Sequence, residues 1–463
     1  MKIKVEKKSY EDVLKLAPAT APKPKKQSIA IRTLLKLASG PDLKKTNFTY
    51  TTENMHKLGK KEPCLYLMNH SAFIDLEIAS SILYPRPFQI ICTLDGFVGK
   101  EWLMRHLGCI PTRKFVTDLN LVKSMNYALK QLKTSVLMYP EASYSFDGTA
   151  TPLPESLAKC IKVLKVPVVM IRTEGAFLRD PLYNGLRLRK TTVSAKMSYE
   201  LSPTDIADMS VTAISEKLNS LFTFDNFRLQ QESHTKITED FRAEGLDRVL
   251  YKCPHCLSEG KMQGHGIRIS CNGCGTTYIL DEEGSLKLES PEDTATGAPA
   301  EPKAAAATAP AFTHIPDWYA WERECVRNEL ENGTYKIDTA VDIRVLRDLK
   351  AIYEVGEGRL THTENGFTLT GCDGALNYHQ SPLASYSLYS DYFWYELGDM
   401  ISIGDDQMLY YCFPKDGFKN VAKARLAAEE LYKLKKDEKK QRGYANAAKS
   451  GQESREGSLR GRL

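Results

Sequence analysis

Two cysteine pairs, CPHC at residues 253–256 and CNGC at 271–274, constrain the folding of this chain more tightly than any other feature. A Cys-x2-Cys pair makes a tight turn that aims both sulfurs the same way. Two such turns can bring Cys253, Cys256, Cys271 and Cys274 to one point. The fourteen residues between the pairs must then double back as short strands, expected at Ile267–Ser270 and, after the second pair, at Thr277–Leu280. Gly275 suits the turn after the last cysteine. The set reads as a zinc ribbon. Four thiolates fill a tetrahedron, so the Zn²⁺ is structural and has no open position for chemistry. His255 and His265 lie nearby, but the cysteines already complete the site. The other cysteines (Cys64, Cys92, Cys109, Cys160, Cys325, Cys372, Cys412) are scattered in apolar stretches, as reduced thiols in a cytoplasmic setting are.

At 463 residues the chain exceeds what one core usually organises. Its character changes along its length. Residues 1–45 are basic and contain SIAIRTLLKLASGP, where Ser28 can cap a short amphipathic helix that Gly40-Pro41 stops. That helix either docks on the next domain or lies on an anionic membrane surface. Residues 46–245 alternate strand-like runs (CLYLM, FQIICTL, SVLMYP, VPVVMIRTE) with helical ones such as Asn120–Lys133, the pattern of a layered α/β domain. The ribbon fills 246–289, and 290–311 is a low-complexity linker expected to be disordered. Residues 312–433 hold Trp318, Trp321, the runs FTLTG, YFWYEL and QMLYYCF, and a last helix over Asn420–Lys433. A β-rich domain closed by a helix is expected there, with a loose pleckstrin-homology-like shape. Residues 434–463 read as a basic disordered tail.

With 42% apolar and 26% charged residues the chain reads as folded, and a net charge of +5 does not select nucleic acid as a partner. No apolar run reaches eighteen residues, so no membrane-spanning helix is expected. The opening MKIKVEKKSYEDVLKL lacks the apolar stretch of a secretory signal.

The chemistry concentrates in LMNHSAFIDLEIAS, residues 67–80. In an unbroken helix, five residues turn through about 500° and rise about 7.5 Å, so His70 and Asp75 would diverge. They meet if His70 sits at the junction of a strand and a helix and Asp75 lies in the first turns of that helix. CLYLM supplies the strand, Asn69-His70-Ser71 the turn and Ala72 onward the helix. Asp75 would then fix the tautomer of His70, leaving the other ring nitrogen free to take a proton from a hydroxyl. The bland alternative is a capped surface turn.

Three more segments come in order along the chain: VGKEWLMRHLGCIPTRK at 98–114, LMYPEASYSFDG at 137–148 and KVPVVMI at 165–171. With the His70 segment, these resemble the four blocks of the glycerolipid acyltransferase family, whose bacterial representative is 1-acyl-glycerol-3-phosphate acyltransferase. The resemblance covers about residues 60–200. It implies transfer of a fatty acyl group from acyl-CoA or acyl carrier protein to the hydroxyl of a lysophospholipid or other lipid alcohol. His70 would be the base and Asp75 its partner. Arg113, Glu141 and, more weakly, Lys100 would bind the acceptor, and the apolar strands would line an acyl tunnel. Peripheral membrane association goes with such a substrate.

The third block departs from the family. It reads YPEASYS where the family has Phe-Pro-Glu-Gly-Thr-Arg-Ser. Ala142 replaces a glycine, so a positive φ there would be strained. Tyr144 replaces an arginine, exchanging a bidentate cation for one hydroxyl. Met170 stands for the second proline of the fourth block. Either Arg113, Lys114 and Arg172 compensate, or the acceptor differs. The alternative function is a catalytically inactive scaffold that binds lipid or protein through the ribbon and the C-terminal domain.

Overall fold

The computed structural model describes residues 3–116, 118–289, 311–415 and 421–460, with side chains as far as residue 442. The linker expected at 290–311 lies almost wholly outside the described residues. The chain opens with β1 (Val5–Lys7) and α1 (Tyr10–Leu14), followed by α2 (Ile29–Lys45). Contrary to expectation, Gly40-Pro41 does not end α2, which carries Pro41 inside it. Proline removes one helical hydrogen bond. The last turn is held instead by tertiary contacts: Leu43 is buried in the core and Asp42 pairs with Arg179.

The α/β unit then alternates as expected. Its strands are β2 (Thr49–Glu53), β3 (Leu65–Met68), β4 (Phe88–Thr93), β5 (Cys109–Thr112), β6 (Ser135–Met138), β7 (Val168–Glu174) and β8 (Ser194–Leu201). They form one sheet in the order β2-β8-β7-β3-β6-β4-β5, parallel except for the β7–β8 pair. In β3, Tyr66 and Met68 face one apolar layer and Leu65 and Leu67 the other. Helices cover both faces, which is why this strand reads as an unbroken apolar run. On one side lies α3 (Ile74–Ile82), through Ile74, Ile78 and Ala79. On the other lie α5 (Leu119–Lys130), α6 (Ser156–Leu164) and α9 (Val211–Leu221). Four short helices complete the unit: α4 (Glu101–His106), α7 (Ala176–Arg179), α8 (Pro203–Asp208) and α10 (Asn226–Glu232).

A four-stranded antiparallel sheet carries the cysteines: β9 (Met262–His265), β10 (Arg268–Cys271), β11 (Thr277–Leu280) and β12 (Leu286–Leu288). After α11 (Ile315–Glu331) come β13 (Ile337–Leu346), β14 (Ile352–Thr363), β15 (Gly366–Gly371), β16 (Leu376–Gln380), β17 (Tyr389–Asp391), β18 (Met400–Gly404) and β19 (Leu409–Pro414). These seven are antiparallel neighbours in the order β16-β15-β14-β13-β19-β18-β17, and β1 adds to β14 in parallel, Val5 opposite Ile352. YFWYEL, expected as a strand, is instead a turn of 3-10 helix at Trp394–Glu396 with Tyr395 at φ 47°. Its Trp394 is buried and held by the Asp95 carboxylate, so a local apolar run serves an interface.

The last helix, α12 (Val421–Arg460), runs well beyond Lys433, through residues expected to be irregular. Its composition of Ala, Lys, Glu and Arg favours helix, and pairs such as Lys435–Glu438 support it.

These parts share cores. One apolar cluster joins Tyr10 and Val13, Phe146 and Phe177, Cys253 and Tyr278, Trp318, and Leu426. A second joins Leu94 and Val98 to Ile352, Tyr389, Trp394 and Met400. At about 1.5–3 kcal/mol for each large apolar side chain buried, such interfaces fasten the C-terminal sheet to the α/β unit.

Candidate active site

The site lies at the carboxyl ends of the parallel strands, where an open α/β sheet presents its loops. His70 leaves the end of β3, Glu141 comes after β6, and Thr173 lies near the end of β7. Asp75 is the second residue of α3 and is fully buried. Its Oδ2 accepts from the amides of Ser71 at 2.7 Å and Ala72 at 3.1 Å, and meets His70 Nδ1 at 3.2 Å. Thr173 donates its hydroxyl to the other oxygen at 3.4 Å. An ionised carboxylate only accepts, so Nδ1 carries the proton and Nε2 keeps a lone pair. The His70 ring retains 22% of its surface exposed. Burial pushes its pKa below the usual 6.5, against the opposite pull of Asp75. The pair foreseen from the sequence is thus assembled.

Around it stand residues that no spacing rule singled out. The Asn69 side chain accepts from the Thr173 amide at 2.7 Å and donates to the Thr173 carbonyl at 3.0 Å, tying the end of β3 to β7. The signal for it was an asparagine directly after an apolar strand. Tyr139 stacks on the His70 ring at 4.1 Å and Tyr144 tilts against it at 4.4 Å.

Glu141, expected at the acceptor, braces the backbone instead. One oxygen accepts from the His70 amide and the other from the Thr151 amide, each at 2.9 Å. Burial pushes its pKa up to about 7, opposed by those two amides. Ala142 adopts φ 58°, the left-handed conformation that a glycine would take without strain.

Arg113 is turned to the N-terminal segment, its Nη2 donating to the Ala19 carbonyl at 3.4 Å. Lys100 takes the N-cap position of α4, where its carbonyl accepts from the Met104 amide at 2.9 Å. Arg172 lies 3.8 Å from Glu174, next to Thr173 in a strand and so aimed at the opposite face of the sheet. None of the three makes a described contact with His70. Lys114 does come near, its charge opposing that of a protonated His70.

The C-terminal sheet closes over this edge. Asp95, after β4, accepts from Tyr389 and Trp394, each at 3.2 Å. The Phe115 ring meets Tyr386 at 5.4 Å, and Phe146 meets Tyr392 at 4.6 Å.

In the cysteine sheet, the four sulfurs lie within 4.8 Å of one another, with Cys256–Cys271 at 3.6 Å and Cys253–Cys274 at 3.7 Å. A tetrahedron of sulfurs about 2.3 Å from a zinc ion would space them about 3.8 Å apart, so the geometry fits an S4 metal site. The distances are far too long for disulfides.

A histidine at the end of a parallel strand, its Nδ1 held by a buried carboxylate, has the geometry of a group able to accept a proton from a hydroxyl. Residues 49–173 match the family model described as Acyltransferase. Among solved structures, the chain is similar to the 1-acyl-sn-glycerophosphate (LPA) acyltransferase PlsC from Thermotoga maritima, at 14% identity and a TM-score of 0.34, over 41% of this chain and 76% of that one. No curated protein matches it.

Proposed function

We propose that the protein moves a fatty acyl group from a thioester, on coenzyme A or acyl carrier protein, to the hydroxyl of a lysophospholipid-like acceptor, as a 1-acylglycerol-3-phosphate acyltransferase does. His70 Nε2 takes the hydroxyl proton as the oxygen attacks the thioester carbonyl. The C–S bond breaks, and the imidazolium returns the proton to the departing thiolate. Asp75 holds the ring and offsets its transient charge. The observation that carries this reading is the His70 Nδ1–Asp75 Oδ2 contact, with Asp75 fixed by two amides.

The four cysteines would hold a structural Zn²⁺, which would fasten the ribbon and do no chemistry. The C-terminal domain would have a pleckstrin-homology-like shape, a reading that draws on its seven antiparallel strands followed by a helix. The protein would work at the cytoplasmic surface of a membrane, without nucleic acid. Ile29, Leu34 and Leu37 on α2 are exposed, apolar side chains suited to contact with lipid.

The test presents a labelled acyl thioester and a panel of lysophospholipids and neutral alcohols in vesicles, with His70→Ala beside the unchanged chain. Loss of transfer by about 10²- to 10⁴-fold is expected in the variant, with both proteins co-sedimenting with the vesicles. Undiminished transfer by the variant would remove the mechanism, and failure to sediment would remove the membrane part. The inactive-scaffold reading draws on Tyr144, which lies on the His70 ring in place of an arginine. It gains if neither donor supports any transfer.

A further inference from the structure

We propose that Arg425, on α12, and Lys114, after β5, form a phosphate subsite beside His70, so that the C-terminal helix completes the transferase centre. This rests on the acyltransferase reading of His70. Two cations that the family's blocks would lead one to expect here do not serve: Tyr144 stands in the arginine position, and Arg113 is engaged with the Ala19 carbonyl.

Arg425 brings one back from the far end of the chain. It is only 3% exposed, and its guanidinium lies 4.4 Å above the ring of Phe146. Phe146 comes directly after Ser145, whose amide donates to the His70 carbonyl at 3.3 Å. Nε of Arg425 donates to Glu429 at 3.2 Å, but its buried Nη1 has no partner. A buried N–H without an acceptor is uncommon in a folded protein and calls for a ligand or water.

Lys114 is a second cation without a bonded carboxylate among the described residues. Its ammonium lies 4.1 Å over the ring of Tyr389. The charges of Lys114 and Arg425 oppose each other, and Lys114 also opposes His70, so the three share one region. Of the carboxylates around them, Asp95 accepts from Tyr389 and Trp394 through one oxygen and leaves the other without a partner, and Asp391 accepts from the Phe393 amide at 2.8 Å; both attract the charge of Lys114 across space. Glu141 is pushed up to about 7 by burial. The buried hydroxyl of Tyr139, whose ring stacks on His70, is also without a partner. A forked guanidinium, a point-charge ammonium and a hydroxyl make up the donor set that recognises phosphate. That phosphate belongs either to the acceptor headgroup or to the coenzyme A of the donor.

Calorimetric titration of the full chain separates these sources, with sn-glycerol 3-phosphate for the acceptor, adenosine 3′,5′-bisphosphate for the donor, and glycerol as the neutral control. At least a tenfold weaker affinity for one phosphate probe is expected in Arg425→Gln and in Lys114→Met. His70→Ala should bind it unchanged while losing transfer. The probe that responds names the source. If Arg425→Gln fails to fold because buried Glu429 keeps only Arg323 and Ser387 as partners, Lys114→Met, which breaks no ion pair among the described residues, decides. The proposal falls if the unchanged chain binds neither phosphate probe, or if the folded variants bind as tightly as it does. Phosphate binding without transfer would sink the transferase reading and leave the subsite standing. Transfer to neutral alcohols without phosphate binding would do the reverse.

Discussion

Asp75 does two things with one oxygen: it gathers the amides of Ser71 and Ala72 in the turn before α3 and it receives His70 Nδ1. That double use explains why the pair was legible. Strand, turn and helix start lie within a dozen residues, so local rules place both groups. Glu141 was legible as a residue but not as a role, because its partners His70 and Thr151 are brought to it by sheet order. The electrostatics give a direction. Burial lowers the pKa of His70, so the neutral base persists below pH 6.5 and is lost only as the pH falls further. The acid limb of kcat/KM is therefore expected below pH 6.5. Because Glu141, pushed up to about 7, gains a proton in a neighbouring range, the His70 ring titration followed by NMR should coincide with that limb. A ring that titrates above pH 7 would contradict this.

Among the elements, the cysteine sheet was the most legible, since pair spacing alone dictates its turns. Its role was not, because it packs inward. Trp318, buried on α11, donates to the carbonyl of Lys252 at 3.0 Å, directly before Cys253, and Glu322 accepts from the Lys252 amide at 2.8 Å. Lys423 on α12 reaches Glu259 between the knuckles. Metal removal should therefore loosen more than the ribbon. Structural zinc sites are worth about 10–16 kcal/mol in isolated peptides. Complete chelation is expected to lower the thermal midpoint and shift tryptophan emission to the red as Trp318 meets water. Unchanged emission and midpoint in metal-free protein would refute the coupling. The elements that sequence rules misjudged share a cause: α2 passes Pro41 and Trp394 leaves its strand because distant partners, Arg179 and Asp95, outweigh local preference.

At the scale of the molecule, the composition shifts suggested separate domains, yet the apolar clusters cross them. A chain ending at residue 289 would lose β13–β19 and α12 and bare the faces around Leu94, Phe146 and Tyr278. It is expected to aggregate, with little soluble monomer in size-exclusion chromatography. A stable, monomeric fragment would show that the α/β unit stands alone. The sequence by itself determined what short spacing can determine: the cysteine cluster, the central apolar strands, and a histidine and aspartate able to meet across a helix start. Tertiary structure decided what depends on contacts between remote parts. It set β1 on β14, turned Arg113 away, made Glu141 a brace and carried Arg425 to the strand ends where Tyr144 lacks a charge. The reason is physical: local spacing fixes geometry within a turn or two, whereas pairing between distant segments depends on which apolar faces and charges the whole chain must bury together.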